Sequence, residues 1–313
     1  MEEKIEYTGN IPVEEPALES KPLKAALRRS CSIMALGLCL GLLVSQLVPT
    51  LLSALVPGFD VQAHAFLVGS LCTGLFTLPM MALLTRRLSA QKPEGKSLSV
   101  GGFFTLVCIC YAAMMVGNLV GIGVNMLLSP GSVNLIGELA TAAGLTAETV
   151  VAFVILAPLF EELVFRKIRV DRVLPFGEWP AILFSGITFG LFHGNLTQFF
   201  YAALLGMILA YVYIRTGRIL YTIGIHACIN FLGGVLPLLV PAAAYLVLLV
   251  ALAGIVLFFK NVKKVHVAQN AVPGAGGALF GNLGMILFLI LSVALMALVA
   301  VAMNHPELTG GLL

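Results

Sequence analysis

Residues 148–166 read Glu-Thr-Val-Val-Ala-Phe-Val-Ile-Leu-Ala-Pro-Leu-Phe-Glu-Glu-Leu-Val-Phe-Arg, an apolar run that ends in two adjacent carboxylates and an arginine. At the centre of a membrane helix each ionised group costs about 2.5–3.5 kcal/mol on the lenient insertion scale. A helix that accepts this cost has work for its charges. The surroundings show that the solvent here is lipid. The chain has 313 residues, 59% of them hydrophobic and 11% charged, and its mean hydropathy is +1.02. That composition excludes an ordinary soluble domain and indicates a polytopic helical membrane protein. The apolar runs are continuous, whereas a β-barrel needs alternation over about ten residues. Six cysteines (Cys31, Cys39, Cys72, Cys108, Cys110, Cys228) lie in or beside apolar segments. They read as packing residues, not as a disulfide framework or a zinc cluster.

A span needs about 20 apolar residues. Runs bounded by Pro, Gly and charge give nine candidates: 31–56, 63–85, 100–128, 148–170, 180–197, 198–214, 219–237, 241–259 and 279–303. The expected fold class is therefore all-α, a polytopic transmembrane helical bundle of about eight to nine spans. With nine spans, all 18 Lys and Arg fall on one side of the membrane. The positive-inside rule places that side, and the N-terminus, in the cytoplasm, and the C-terminus outside. Residues 1–30 form a polar tail with no secretory signal, expected to be unstructured and to end in the basic stretch Lys21 to Arg29. The expected blocks are this tail, N-terminal helices at 31–147, a catalytic helical core at 148–259, and a basic linker with a last, accessory helix at 260–313. The glycine pairs Gly37/Gly41 and Gly117/Gly121 allow close helix contact. No internal repeat of the inverted transporter kind is evident.

Residues four apart share a helix face, so Glu162 and Arg166 can pair. Pairing makes Glu162 a charged anchor and leaves its neighbour Glu161 free for acid–base work. The same string also fits a simple interfacial charge cluster. Phe189 and His193 share a face of a later span, where Gly186, Gly190 and Gly194 recur every fourth residue and let another helix approach. His226 and Asn230 share a face of the next but one, and both can donate to an oxyanion. Taken singly, an intramembrane His or Asn also serves as a helix-to-helix hydrogen bonder.

Together, Glu-Glu-x-x-x-Arg, Phe-x-x-x-His and His-x-x-x-Asn on three spans resemble the CAAX prenyl protease-like and bacteriocin-processing (CPBP) family, the type II CAAX or Abi group of intramembrane glutamic endopeptidases. The resemblance covers about residues 158–230; the first three spans and the last add nothing to it. It implies that Glu161 and His193 activate a water for attack on a peptide carbonyl. It further implies that His226 and Asn230 steady the oxyanion, while Glu162, Arg166 and Phe189 support them. No cofactor is implied, although Glu with two His can also hold zinc. The implied partners are a peptide or membrane-protein substrate, CAAX-type and prenylated or bacteriocin-type, and the lipid bilayer, with no nucleic acid. Other readings are a non-catalytic membrane or immunity partner and a proton-coupled carrier. The expected location is the cell membrane, with the site about 15 Å from the cytoplasmic helix ends and open to the cytoplasm. His193 lies deeper on that count, so the fifth span is expected to tilt, kink or start late.

Overall fold

The computed structural model of the protein describes residues 17–128, 142–268 and 271–304, and every regular element among them is helical. Helix α1 is Ala17–Leu55, α2 is Ala65–Thr85 and α3 is Val100–Leu128. A helical run at 147–173 forms α4, followed by α5 (Glu178–Phe192) and α6 (Leu196–Thr216). Then come α7 (Ile219–Leu239), α8 (Ala243–Asn261), a short α9 (Ala275–Phe280) and α10 (Leu283–Asn304).

Seven of these helices are long and apolar enough to cross a membrane: α1, α2, α3, α6, α7, α8 and α10. Two of the nine expected spans are absent from that set for physical reasons. The 148–170 candidate is helical but carries Glu148, Glu161, Glu162 and Arg166 within it. The 180–197 candidate stops at Phe192, and 15 residues span only about 22 Å, short of the ~30 Å hydrocarbon core. The tail also differs from expectation. Residues 1–16 lie outside the described residues, but from Ala17 the chain is already helical, and Leu27 is fully buried in the core.

The early end of α5 resolves the depth of His193. Gly194 takes a left-handed φ of +58°, and Asn195 Oδ1 accepts the Gln198 N–H at 3.1 Å to start α6. His193 thus sits at the tip of a short helix folded back along α6. The far ends of this hairpin are clamped by an Arg215–Glu178 ion pair. Its two helices touch backbone to backbone: a Cβ on Gly190 would lie 2.6 Å from the Phe199 carbonyl, and one on Gly206 would lie 2.8 Å from Gly186 Cα. The glycine pairs of the first and third helices act likewise. Gly37 and Gly41 face Met81 and Thr77 of α2, while Gly117 and Gly121 face Tyr201 and Thr197 of α6.

Basic segments that are distant in sequence gather at one end of the bundle. There Lys167 pairs with Asp171, Tyr213 donates to Asp171 at 2.9 Å, and Arg172 Nε donates to the Thr85 carbonyl at 3.0 Å. The opposite end holds the α1–α2, α5–α6 and α7–α8 turns.

Three helices share one irregularity. Wide π turns at Thr73–Thr77, Ala152–Leu156 and Phe231–Val235 each end two residues before a proline: Pro79, Pro158 and Pro237. Proline has no N–H to give, so the ladder loosens one turn upstream. In α4 the Ala157 N–H bonds the Ala152 carbonyl, and the next donor in that register is the missing one of Pro158. The Phe153 carbonyl is thereby left for a partner from another helix. Replacing Gly190 with Leu is expected to separate α5 from α6 and lower the melting temperature sharply. Gly101→Leu, on α3 with nothing within 4 Å of its added Cβ, should leave it within a degree or two; thermal unfolding of the detergent-solubilised protein compares them.

Candidate active site

The two carboxylates on α4 occupy different environments. Glu162 is fully buried, whereas the Glu161 side chain is 20% exposed. Glu162 Oε1 lies 3.0 Å from Arg166 Nη1, as the i,i+4 spacing predicts. The same oxygen accepts from His226 Nδ1 at 2.9 Å, which ties α7 to α4. That leaves His226 Nε2 facing Glu161, 3.7 Å from Oε2. The spacing analysis foresaw the Glu162–Arg166 pair and missed the histidine, because a contact across 64 residues leaves no local trace.

His193 is oriented by its own helix. Its Nδ1 is 2.8 Å from the Phe189 carbonyl, one turn back. A carbonyl oxygen only accepts, so Nδ1 carries the proton and the neutral ring presents a bare Nε2. Phe189 joins these groups. Arg166 stacks on its face at 4.3 Å, and its ring meets His193 at 4.8 Å and His226 at 5.9 Å, both edge-on. An arginine over an aromatic face is an attractive contact, stronger where water is excluded.

Asn230 behaves differently from expectation. Its Nδ2 donates to the Phe153 carbonyl at 2.8 Å, the acceptor released upstream of Pro158. One of its two amide protons is therefore structural, and it is not part of a matched pair with His226.

Glu161, Phe189, His193, His226 and Asn230 all line one cavity of about 520 Å³. The first three spans, which lie outside the resemblance, form one wall of it through Gln46 of α1, Phe66 of α2, and Met114 and Asn118 of α3. Gln198 and Tyr201 of α6 stand on the same lining, joined by a 2.7 Å hydrogen bond from Gln198 Nε2 to the Tyr201 oxygen. The sequence signal for them was available: single amides at Gln46, Asn118 and Gln198 interrupt long apolar runs. Among the described residues no Lys or Arg lines the cavity, and its lining on α1, α2 and α6 lies in the halves remote from the basic end, whereas Tyr111 of α3 and His226 of α7 lie in the nearer halves. Most of the lining thus lies on the side of the bundle away from the basic end. Among the described residues no three His, Cys, Asp or Glu side chains converge as metal ligands.

Residues 144–232 match the family model described as Type II CAAX prenyl endopeptidase Rce1-like. This segment belongs to the CPBP family. No curated protein and no solved structure matches the chain. The CPBP segment comprises α4, α5, α6 and the site-bearing part of α7, so it contains both carboxylates, both histidines and Asn230. That family model describes CAAX-type endopeptidases, and the seven long apolar helices make the chain a multi-pass membrane protein.

Two buried arginines of the CPBP segment make opposite predictions. Arg166→Met strands Glu162 without its cation and should cost about 3–5 kcal/mol. Arg169 is fully buried with no carboxylate partner among the described residues, held over the rings of Phe184 at 4.4 Å and Phe165 at 5.2 Å. Arg169→Met removes a buried charge and should leave stability unchanged or raise it by about 1 kcal/mol. Melting curves of the two variants against the parent protein separate these outcomes.

Proposed function

We propose that the chain is an intramembrane glutamic endopeptidase, hydrolysing a peptide bond by direct attack of water. The observation that supports this most is a partly exposed carboxylate, Glu161, sharing a cavity with the bare Nε2 of His193. A carboxylate and a neutral imidazole can hold one water between them and take its proton as it attacks a carbonyl. Negative charge then grows on the carbonyl oxygen. The remaining N–H of Asn230 and, when its ring is protonated, His226 Nε2 are placed to receive it. Glu162 and Arg166 act through His226 and the helix, fixing the imidazole by its Nδ1, and Phe189 keeps both histidines in place. Proton return from His193 to the departing amine completes hydrolysis without a covalent intermediate.

The substrate in this reading is a peptide or membrane-protein segment of CAAX or bacteriocin type, and whether it carries a prenyl group is open to experiment. The protein is placed in the cell membrane with its N-terminus in the cytoplasm, on the charge distribution. Water activation is assigned to Glu161 and His193 without metal. The hydrogen bonds that hold both Nδ1 atoms also leave Nε2 atoms of the kind zinc takes, so the metal reading is tested alongside.

Comparative peptidomics of membranes holding the parent protein, Glu161→Gln or His193→Ala checks the reading. The parent should yield cleavage products that both variants lose by at least about 100-fold at equal protein level. Identical peptidomes would instead fit a non-catalytic partner, and substrate flux in liposomes without cleavage would fit a carrier. For the purified enzyme, product formation should persist in chelator and metal analysis should find no stoichiometric zinc. Loss of activity in chelator that is restored by zinc would move the assignment to a metalloprotease.

A further inference from the structure

We infer that Tyr201 is a hydrogen-bond donor to the carbonyl under attack, with Gln198 as its positioning residue. This rests on the endopeptidase reading and adds to it a group outside the three sequence motifs.

The argument is an inventory of donors. Attack on a peptide carbonyl needs preorganised donors where the oxyanion forms, in a place that water does not screen. Among the polar side chains that the three motifs bring around Glu161, most protons are already committed. His193 gives its Nδ1 proton to the Phe189 carbonyl and offers only a lone pair at Nε2. His226 gives its Nδ1 proton to Glu162, and its Nε2 stands 3.7 Å from Glu161, so any proton there is drawn to that carboxylate. Asn230 spends one N–H on the Phe153 carbonyl.

Tyr201 is in the opposite condition. Its oxygen already accepts a proton, from Gln198 Nε2 at 2.7 Å. A phenol has one proton to give, and among the described residues that proton bonds to no acceptor. The residue lines the same cavity as Glu161, His193 and His226. Accepting from Gln198 also polarises the hydroxyl and makes it a better donor. Its placement is built into the packing. Gly117 of α3 meets the Tyr201 backbone directly, so no side chain intervenes between the helices there. Gln198 in turn is set by the first turn of α6, where its own N–H is capped by Asn195. The Tyr201 hydroxyl and the second N–H of Asn230 are then two donors on the lining of one cavity. No atoms are transferred by Tyr201; it stabilises the oxyanion and keeps its proton.

The test uses the full-length protein in detergent or nanodiscs and a synthetic peptide spanning the bond whose cleavage Glu161→Gln abolishes in membranes. Tyr201→Phe keeps the ring and removes only the hydroxyl. It should lower kcat by about 100-fold, the usual effect of one lost oxyanion donor, with KM within about two-fold and an unchanged melting temperature. Gln198→Leu, which leaves the hydroxyl but frees it, should lower kcat by a smaller factor, about 3–10-fold, and Gln198→Glu, whose carboxylate would accept the Tyr201 proton instead of donating to its oxygen, should lower it further than Gln198→Leu does. A Tyr201→Phe enzyme with parental kcat, or with its loss confined to KM or to thermal stability, overturns the inference. If the parent and Glu161→Gln membranes show the same peptides, the endopeptidase reading itself fails and Tyr201 has no oxyanion to serve. That result is distinct from an active enzyme indifferent to Tyr201→Phe.

Discussion

A single carboxylate with no access to solvent organises this bundle. Glu162 sits at 0% exposure, where an unpaired charge costs several kcal/mol, and it is held there by a cation from its own helix and an imidazole from another. Arg166 and His226 converge on the same oxygen, at 3.0 and 2.9 Å. Removing either leaves a buried charge short of a partner, so α4 and α7 are locked in one register. Everything reactive follows from that lock. It turns His226 Nε2 towards Glu161, and through the Arg166–Phe189 stack it fixes the helix that carries His193.

The cavity depends on a second constraint, the missing amide proton of Pro158. A regular helix would satisfy the Phe153 carbonyl internally and offer Asn230 nothing. The π turn at Ala152–Leu156 frees that carbonyl, and Asn230 takes it. About two helix turns further on, α4 widens again at Leu163–Ile168, directly after the paired glutamates. Such turns recur at functional sites because they aim groups that a regular helix would bury in its own ladder. Glycines supply the remaining fit: α3 reaches α6 through Gly117 and Gly121, which brings Met114 and Asn118 to the cavity beside Tyr201.

Local spacing carried much of this. The i,i+4 rule found the Glu162–Arg166 pair, and the three short motifs picked out the residues that line one cavity. Hydropathy located every span that is long enough to cross. What it could not carry was anything set by contacts across the chain. The His226–Glu162 bond joins residues far apart in sequence, and the Asn230–Phe153 bond needs the consequence of a proline to be worked through on another helix. The run at 180–197 looked like a span because Gly194 and Asn195 leave hydropathy nearly unchanged, although together they turn the chain. Leu27, in a polar stretch, gave no sign that it packs in the core.

The proposed chemistry requires both imidazoles to carry their proton on Nδ1, one donating it to a backbone carbonyl and the other to a buried carboxylate. Nitrogen-15 NMR of histidine-labelled protein in lipid, assigned with His193→Gln and His226→Gln, reads this directly. At neutral pH the His193 signals should show a protonated Nδ1 and a bare Nε2. The His226 Nδ1 signal should be that of a proton shared with a carboxylate, and it should move on Glu162→Gln. A His193 ring protonated only at Nε2, or a His226 ring indifferent to residue 162, would contradict the account.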